Sequence, residues 1–116
     1  MPNKSQVILS HQSYSPANPV TEYYAEPVPG DGYYGKSDGL HTIQYSLDGF
    51  IGKFIIQATV VARPTDMDWV TVVSNTHTAI EPVSSVIENF VGNYTWVRAG
   101  IIEWQSGTVN VCRMNN

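Results

Sequence analysis

Three histidines, His11, His41 and His77, invite attention first, because an imidazole can ligate a metal or move a proton near neutral pH. They fall in three separate segments and never two or four residues apart, so a zinc site would need the fold to bring them together. The plainer expectation is solvated or strand-edge histidines. Asp66 and Asp68 flank Met67, and Asp31, Asp38 and Asp48 sit near glycines. Loop aspartates can hold Ca²⁺, but the spacing of a calcium loop is absent. Aspartate also favours turns, because its carboxylate bonds the nearby backbone. Cys112 is the single cysteine and lies beside alternating Val109 and Val111, which predicts a packed, inert thiol. With one cysteine there is no intrachain disulfide and no thiolate zinc cage. No G-x-S-x-G, no neighbouring Cys/His pair and no phosphate-cradling glycine loop occurs. The expectation is a chain without catalysis, cofactor or metal.

The aromatic residues carry more. Trp69, Trp96 and Trp104, with seven tyrosines, could line a sugar-stacking platform; the competing reading has at least two of the tryptophans filling a core. In residues 94–103, YTWVRAGIIE, a strand period of two puts Val97, Ala99 and Ile101 on one face. Trp96 and Arg98 then share the other, where an indole beside a guanidinium can stack on it. Trp96 and Trp104 are the candidate ligand-stacking residues.

The elements that must position these side chains read as strands. In residues 40–61, LHTIQYSLDGFIGKFIIQATVV, Ile43, Tyr45 and Leu47 alternate with Thr42, Gln44 and Ser46. Further on, Phe54, Ile56, Ala58 and Val60 alternate with Ile55, Gln57, Thr59 and Val61. Leu47-Asp48-Gly49 with Gly52 supplies turn chemistry between them, so the stretch predicts a β-hairpin with a central second arm. Residues 68–74 alternate again. Residues 84–90 fit both a helical and a strand spacing, with length and surroundings favouring strand. Gln105-Ser106-Gly107 predicts the last turn, and residues 108–114 the closing strand. About seven short strands at intervals of roughly ten residues predict an all-β antiparallel two-sheet sandwich, jelly-roll-like. Its expected core is Leu47, Phe54, Ile56, Ala58, Val60, Val70, Val72, Val97, Ala99 and Ile101.

At 116 residues the chain is expected to be one domain, with a sandwich over residues 40–116 and an arm over residues 1–39. The arm holds a short strand candidate at residues 5–10, with Val7 and Leu9 on one face. Beyond it come prolines, glycines and the pairs Tyr23-Tyr24 and Tyr33-Tyr34. Proline removes ladder donors, so this segment is expected to drape over a surface rather than form a central strand. Tyr23, Tyr24, Tyr33, Tyr34, Val7 and Leu9 are its candidate partner-binding residues, on a neighbouring protein or on its own sandwich edge. Charged residues make up 14% of the chain, against about 25% in an average soluble chain, which suits a surface partly hidden against a partner. A net charge of −4 with no Lys/Arg cluster argues against nucleic acid. The start lacks a signal-like apolar run and no 18-residue apolar segment occurs, so synthesis in a cytoplasm and no membrane span are expected.

The stretches PVPGDGYYGKSDGLHTIQY, GFIGKFIIQATVVARPTDMDWVTV and NFVGNYTWVRAGIIEWQSGTVNVCRM share a pattern. It comprises an apolar strand with Gln before Ala, a Pro-Thr-Asp turn before Asp-Trp, a Phe-x-Gly-Asn-Tyr opening and a Trp-Val-Arg-Ala strand. In this pattern, over residues 27–114, the chain resembles small β-sandwich structural proteins of tailed bacteriophages, notably those of marine cyanobacteria. The resemblance implies a non-enzymatic virion component of head surface, neck or tail. Such a part would be made in the host bacterial cytoplasm, bind other virion proteins and stand in several symmetric copies. A similar strand–turn–Trp pattern occurs in sandwich modules that bind carbohydrate, so a module contacting the host surface is the alternative.

Overall fold

The computed structural model describes residues 5–17, 20–30, 39–77 and 84–115. The described residues form nine strands, β1 (Ser5–Leu9), β2 (Gln12–Ser13), β3 (Tyr23–Tyr24), β4 (Val28–Pro29), β5 (Leu40–Thr59), β6 (Val70–His77), β7 (Ser84–Val91), β8 (Trp96–Val109) and β9 (Cys112–Asn115). All pairings are antiparallel, and the sheet curls on itself into a jelly-roll-like sandwich.

The centre of the molecule is one strand of 20 residues rather than the expected hairpin. The first half of β5 pairs with β7 and β9, and its second half with β6 and β8. Straight, nine residues of strand would set Tyr45 and Phe54 about 30 Å apart. Their rings instead stack with centroids 3.9 Å apart, so β5 folds its halves face to face across the core. The bend lies where turn chemistry was read, at Gly49 (φ 65) and Gly52 (φ 154). The register between β5 and β8 slips there twice, around Ile51, which is the signature of bulges.

The expected turn at Gln105-Ser106-Gly107 is likewise a bend inside a strand, since β8 runs on to Val109. Glu103 (φ 51) and Gly107 (φ 84) take left-handed backbone there. The two bends meet: Ser106 Oγ donates to the Gly49 carbonyl at 3.1 Å, and a Cβ on Gly107 would run into the Gly49 backbone. Adjacent strands that bulge at the same level turn together, which makes a sheet-to-sheet corner instead of two hairpins. The closing strand is shorter than expected, with a break at Asn110 and Val111 before β9.

Ile43, Tyr45, Leu47, Phe54, Ile56, Ala58, Val97, Ala99, Ile101, Val109, Cys112 and Met114 are buried between the layers. Two expected core residues are not: Val60 is 72% and Val70 62% exposed. Val60 follows the end of β5. In β6 the register slips opposite Ile56 and Gln57, so Val73 takes the core position and Val72 is only half-buried. The ambiguous segment, residues 84–90, is strand β7.

The described stretches, residues 5–17 and 20–30, are stitched onto the chain's own sandwich, which is one of the two courses open to a draped segment. β1 pairs with β9, and β2, β3 and β4 line the free edge of β8. The register of β1 slips between Val7 and Leu9, which turns Ile8 and Leu9 into the core and leaves Val7 48% exposed. Val7 and Leu9 therefore do not share a face, and Leu9 is unavailable to a neighbouring protein. Tyr33 and Tyr34 lie outside the described residues.

Candidate functional site

β8 alternates as the sequence predicts: Val97, Ala99 and Ile101 are fully buried, and Trp96 and Arg98 point to the opposite, outer face. Gln57 of β5 stands beside Arg98 in the register, and Thr71 of β6 beside Gln57. Tyr24 arrives from β3, opposite Gly100. The glycine is required here, because a Cβ at that position would press on the Tyr24 ring at 2.7 Å. The ring thus lies on the sheet, over Gly100 and Ile55.

Trp69 is delivered by a single 3₁₀ turn at Asp66–Asp68. Asp68 Oδ2 accepts from the Thr65 backbone N–H at 2.7 Å and from its hydroxyl at 3.1 Å, which caps the turn. That fits the expectation that this aspartate shapes a turn. Trp96 is fixed from the same connection, its Nε1 donating to the Ala62 carbonyl at 2.9 Å. Its ring, with Pro27, Ala62 and Pro64, borders a shallow apolar hollow of about 340 Å³.

Arg98 is the hub. Its guanidinium carbon sits 4.4 Å from the Tyr24 ring centroid and 4.5 Å from that of Trp69, a cation between two π faces. Nε donates to Gln57 Oε1 at 2.8 Å, and Gln57 Nε2 reaches Thr71 Oγ1 at 3.4 Å. Among the described residues, no carboxylate pairs with Arg98. The nearest ion pair along this face, Lys53–Glu103 at 3.1 Å, is a separate one.

Several predicted site residues go elsewhere. Trp104 is 4% exposed, in the core, with its ring edge-on to Tyr14 at 5.7 Å. Trp96 and Trp104 are eight residues apart and would share a face in a regular strand. The left-handed Glu103 reverses the alternation between them, so they do not form one platform. Trp104 instead borders a separate cavity of about 220 Å³, together with Tyr14 and Tyr23. Tyr23 packs half-buried against the core, and only Tyr24 of that pair reaches the outer face.

His41 is not a solvated or edge residue. It is fully buried, parallel to the Phe90 ring at 4.8 Å, with Nδ1 donating to the Gly39 carbonyl at 2.8 Å. His77 Nε2 lies 3.1 Å from the Tyr45 hydroxyl, which also accepts from Asn75 Nδ2 at 3.0 Å. Burial pushes the Tyr45 phenol up to about 12, against the lowering effect of the Asn75 bond. Burial likewise pushes the Cys112 thiol up to about 12, so it stays a protonated, packed group. Among the described residues, no three His, Cys, Asp or Glu side chains gather as a metal site.

Sequence reading named Trp69 among the platform aromatics but did not carry it to the ligand-stacking pair, and it missed Gln57 and Thr71 altogether. The stacking it considered for Arg98 was on the neighbouring Trp96, whereas the guanidinium stacks on Trp69 and Tyr24. The one available signal was Gln57, a lone amide in the apolar run FIIQAT.

No protein-family model matches the chain, and no curated protein sequence does. Solved structures do. A carbohydrate-binding module of Cellvibrio mixtus lichenase 5A, in complex with cellotriose, superposes with a TM-score of 0.50 at 11% identity, over 100% of this chain and 98% of that one. The K2 cleaved adhesin domain of Lys-gingipain gives 0.55 at 9%, over 97% and 70%. A family 29 carbohydrate-binding module of Piromyces equi gives 0.50 at 7%, over 97% and 91%. At such identities the likeness is one of fold: this chain has the β-sandwich of those modules.

Proposed function

We propose that the chain is a non-catalytic carbohydrate-binding module that holds its ligand on the outer face around Trp69, Arg98 and Trp96. The observation that carries this reading is the cluster itself. Three aromatic side chains, one cation and an amide–hydroxyl pair from five segments converge on a face that the core does not need. Sugar recognition uses that mix: aromatic surface for the C–H face of a ring, and fixed donors and acceptors for its hydroxyls. The fold of the carbohydrate-binding modules it resembles supports the same reading.

A panel of oligosaccharides screened against the whole chain, followed by titration calorimetry on the hits, tests it. Trp69→Ala and Trp96→Ala should each weaken binding by about tenfold or more. Trp104→Phe, in the core, should leave affinity unchanged. Affinity indifferent to both outer-face substitutions would remove the site.

A second reading, a phage virion component binding other virion proteins, rests on the sequence resemblance, and the opposite sheet offers a face for a protein partner. There Ile87, Gln44, Arg113 and Val7 lie in one row across β7, β5, β9 and β1. Ile87 is 63% and Val7 48% exposed. Exposed apolar side chains with an arginine between them suit a protein partner, since interfaces are enriched in arginine and depleted in other charged residues. A chain blind to every glycan in the panel would sink the first reading and leave this one. A particle whose density holds no copy of the chain would sink the second.

A further inference from the structure

We infer that the sugar bound at this face carries an anionic group, a carboxylate or a sulfate ester, received by the two terminal amino groups of Arg98. The inference rests on the carbohydrate reading and narrows its ligand class.

The Arg98 guanidinium has five N–H donors in one plane. The Tyr24 and Trp69 rings stand 4.4 and 4.5 Å from its carbon, and Gln57 Oε1 takes Nε–H. Stacking and that one bond leave the Nη edge, where no acceptor from the described residues stands. A cation packed against two rings is poorly hydrated on those sides, so its remaining demand for a partner is concentrated on that edge. The matching group is a planar or tetrahedral anion taking two parallel N–H bonds, the strongest polar contact a guanidinium makes.

The surroundings point the same way. The Thr71–Gln57–Arg98 chain of contacts fixes the plane before any ligand arrives, which lowers the cost of ordering it on binding. The chain as a whole carries a net charge of −4. A single guanidinium that no carboxylate pairs among the described residues suits a sugar with a single charge near an apolar ring face, not a densely charged polyanion.

The test uses the full chain with trigalacturonate, its neutral methyl ester, a sulfated galactan trisaccharide and cellotriose. Affinity is read by calorimetry, and Arg98 by its Nε–Hε signal in a nitrogen-edited NMR spectrum. At least one acidic sugar should bind about tenfold or more tighter than either neutral sugar, and should shift the Arg98 signal. The two acidic arms separate carboxylate from sulfate. Arg98→Lys should lose most of that preference while keeping the charge, because an ammonium offers no fork. If that variant does not fold, the wild-type spectra still decide. Equal or tighter binding of the neutral sugars, or acidic sugars that leave the Arg98 signal in place, overturns the anionic group and leaves the carbohydrate reading intact. Binding of none of the four overturns this inference, while a hit elsewhere in the wider panel would preserve the parent reading.

Discussion

Tyr45 and Cys112 are two protons held in the core. Both sit against apolar neighbours that penalise their charged forms, the thiol rising from 9.0 and the phenol from 10.0, each to about 12. Unfolding lets each ionise at its ordinary value, so above that value the unfolded state binds fewer protons and stability falls as pH rises. The stabilisation is fully present below pH 9 and is lost in two stages, the thiol from 9 upward and the phenol from 10 upward, until about 12. Each stage removes up to about 1.4 kcal/mol per pH unit. Cys112→Ala should therefore show a nearly flat stability between pH 9 and 10 where the parent declines. Urea melts at closely spaced pH values check this; identical slopes in parent and variant would refute it.

At the scale of elements, the paired bends of β5 and β8 hold the sandwich together. Gly107 sits at φ 84 with the Gly49 backbone directly beyond its missing Cβ. Gly107→Ala must strain the backbone and push two central strands apart at once, which should cost about 3 kcal/mol or more in a denaturant melt. A loss below about 1 kcal/mol would mean the corner gives way freely. These bends also mark where sequence reading fell short. Glycine signals positive φ equally for a hairpin turn and for a bulge, and only the partner strand decides which forms. Gly49 and Gly107 decide it for each other, from fifty-eight positions apart along the chain. What was legible was whatever depends on alternation within one strand: the buried row Val97, Ala99, Ile101 and the outward pair Trp96, Arg98. Wherever a bulge reversed the alternation, at Ile8, Val72 and Glu103, the local pattern pointed to the wrong face. The candidate site was half legible for the same reason, since Arg98 is placed by its own strand while Tyr24 and Trp69 are brought by others.

For the whole molecule, the N-terminal segment decides whether there is a sandwich to carry a site. Ile8 and Leu9 are core residues, and β2, β3 and β4 cover the edge of β8 that would otherwise stand open. An open edge of that length next to an apolar core invites association between chains. Removing residues 1–30 should therefore leave a chain that aggregates or lacks a cooperative thermal transition, by circular dichroism and light scattering. A monomeric truncated chain with a sharp transition would restore the separate arm that the composition suggested. The same segment supplies Tyr24 and Pro27, so the outer face cannot be assembled without it.

The pairing of β1 with β9 has a mechanical side. Ser5 stands opposite Asn115, so the two ends of the described chain are neighbours in one ladder. Antiparallel hydrogen bonds lie across the strands, and tension applied through both ends at that corner would peel them one at a time, as a zipper opens. Tension between a ligand on the outer face and one end takes another route. It passes through β5 and β8, whose bonds are loaded side by side along their length, and must shear many together. Pulled from its outer face against one end, the fold loads its long central ladder once the short β9 pairs have passed the force on; pulled through both ends of the described strands, it loads only β1 against β9.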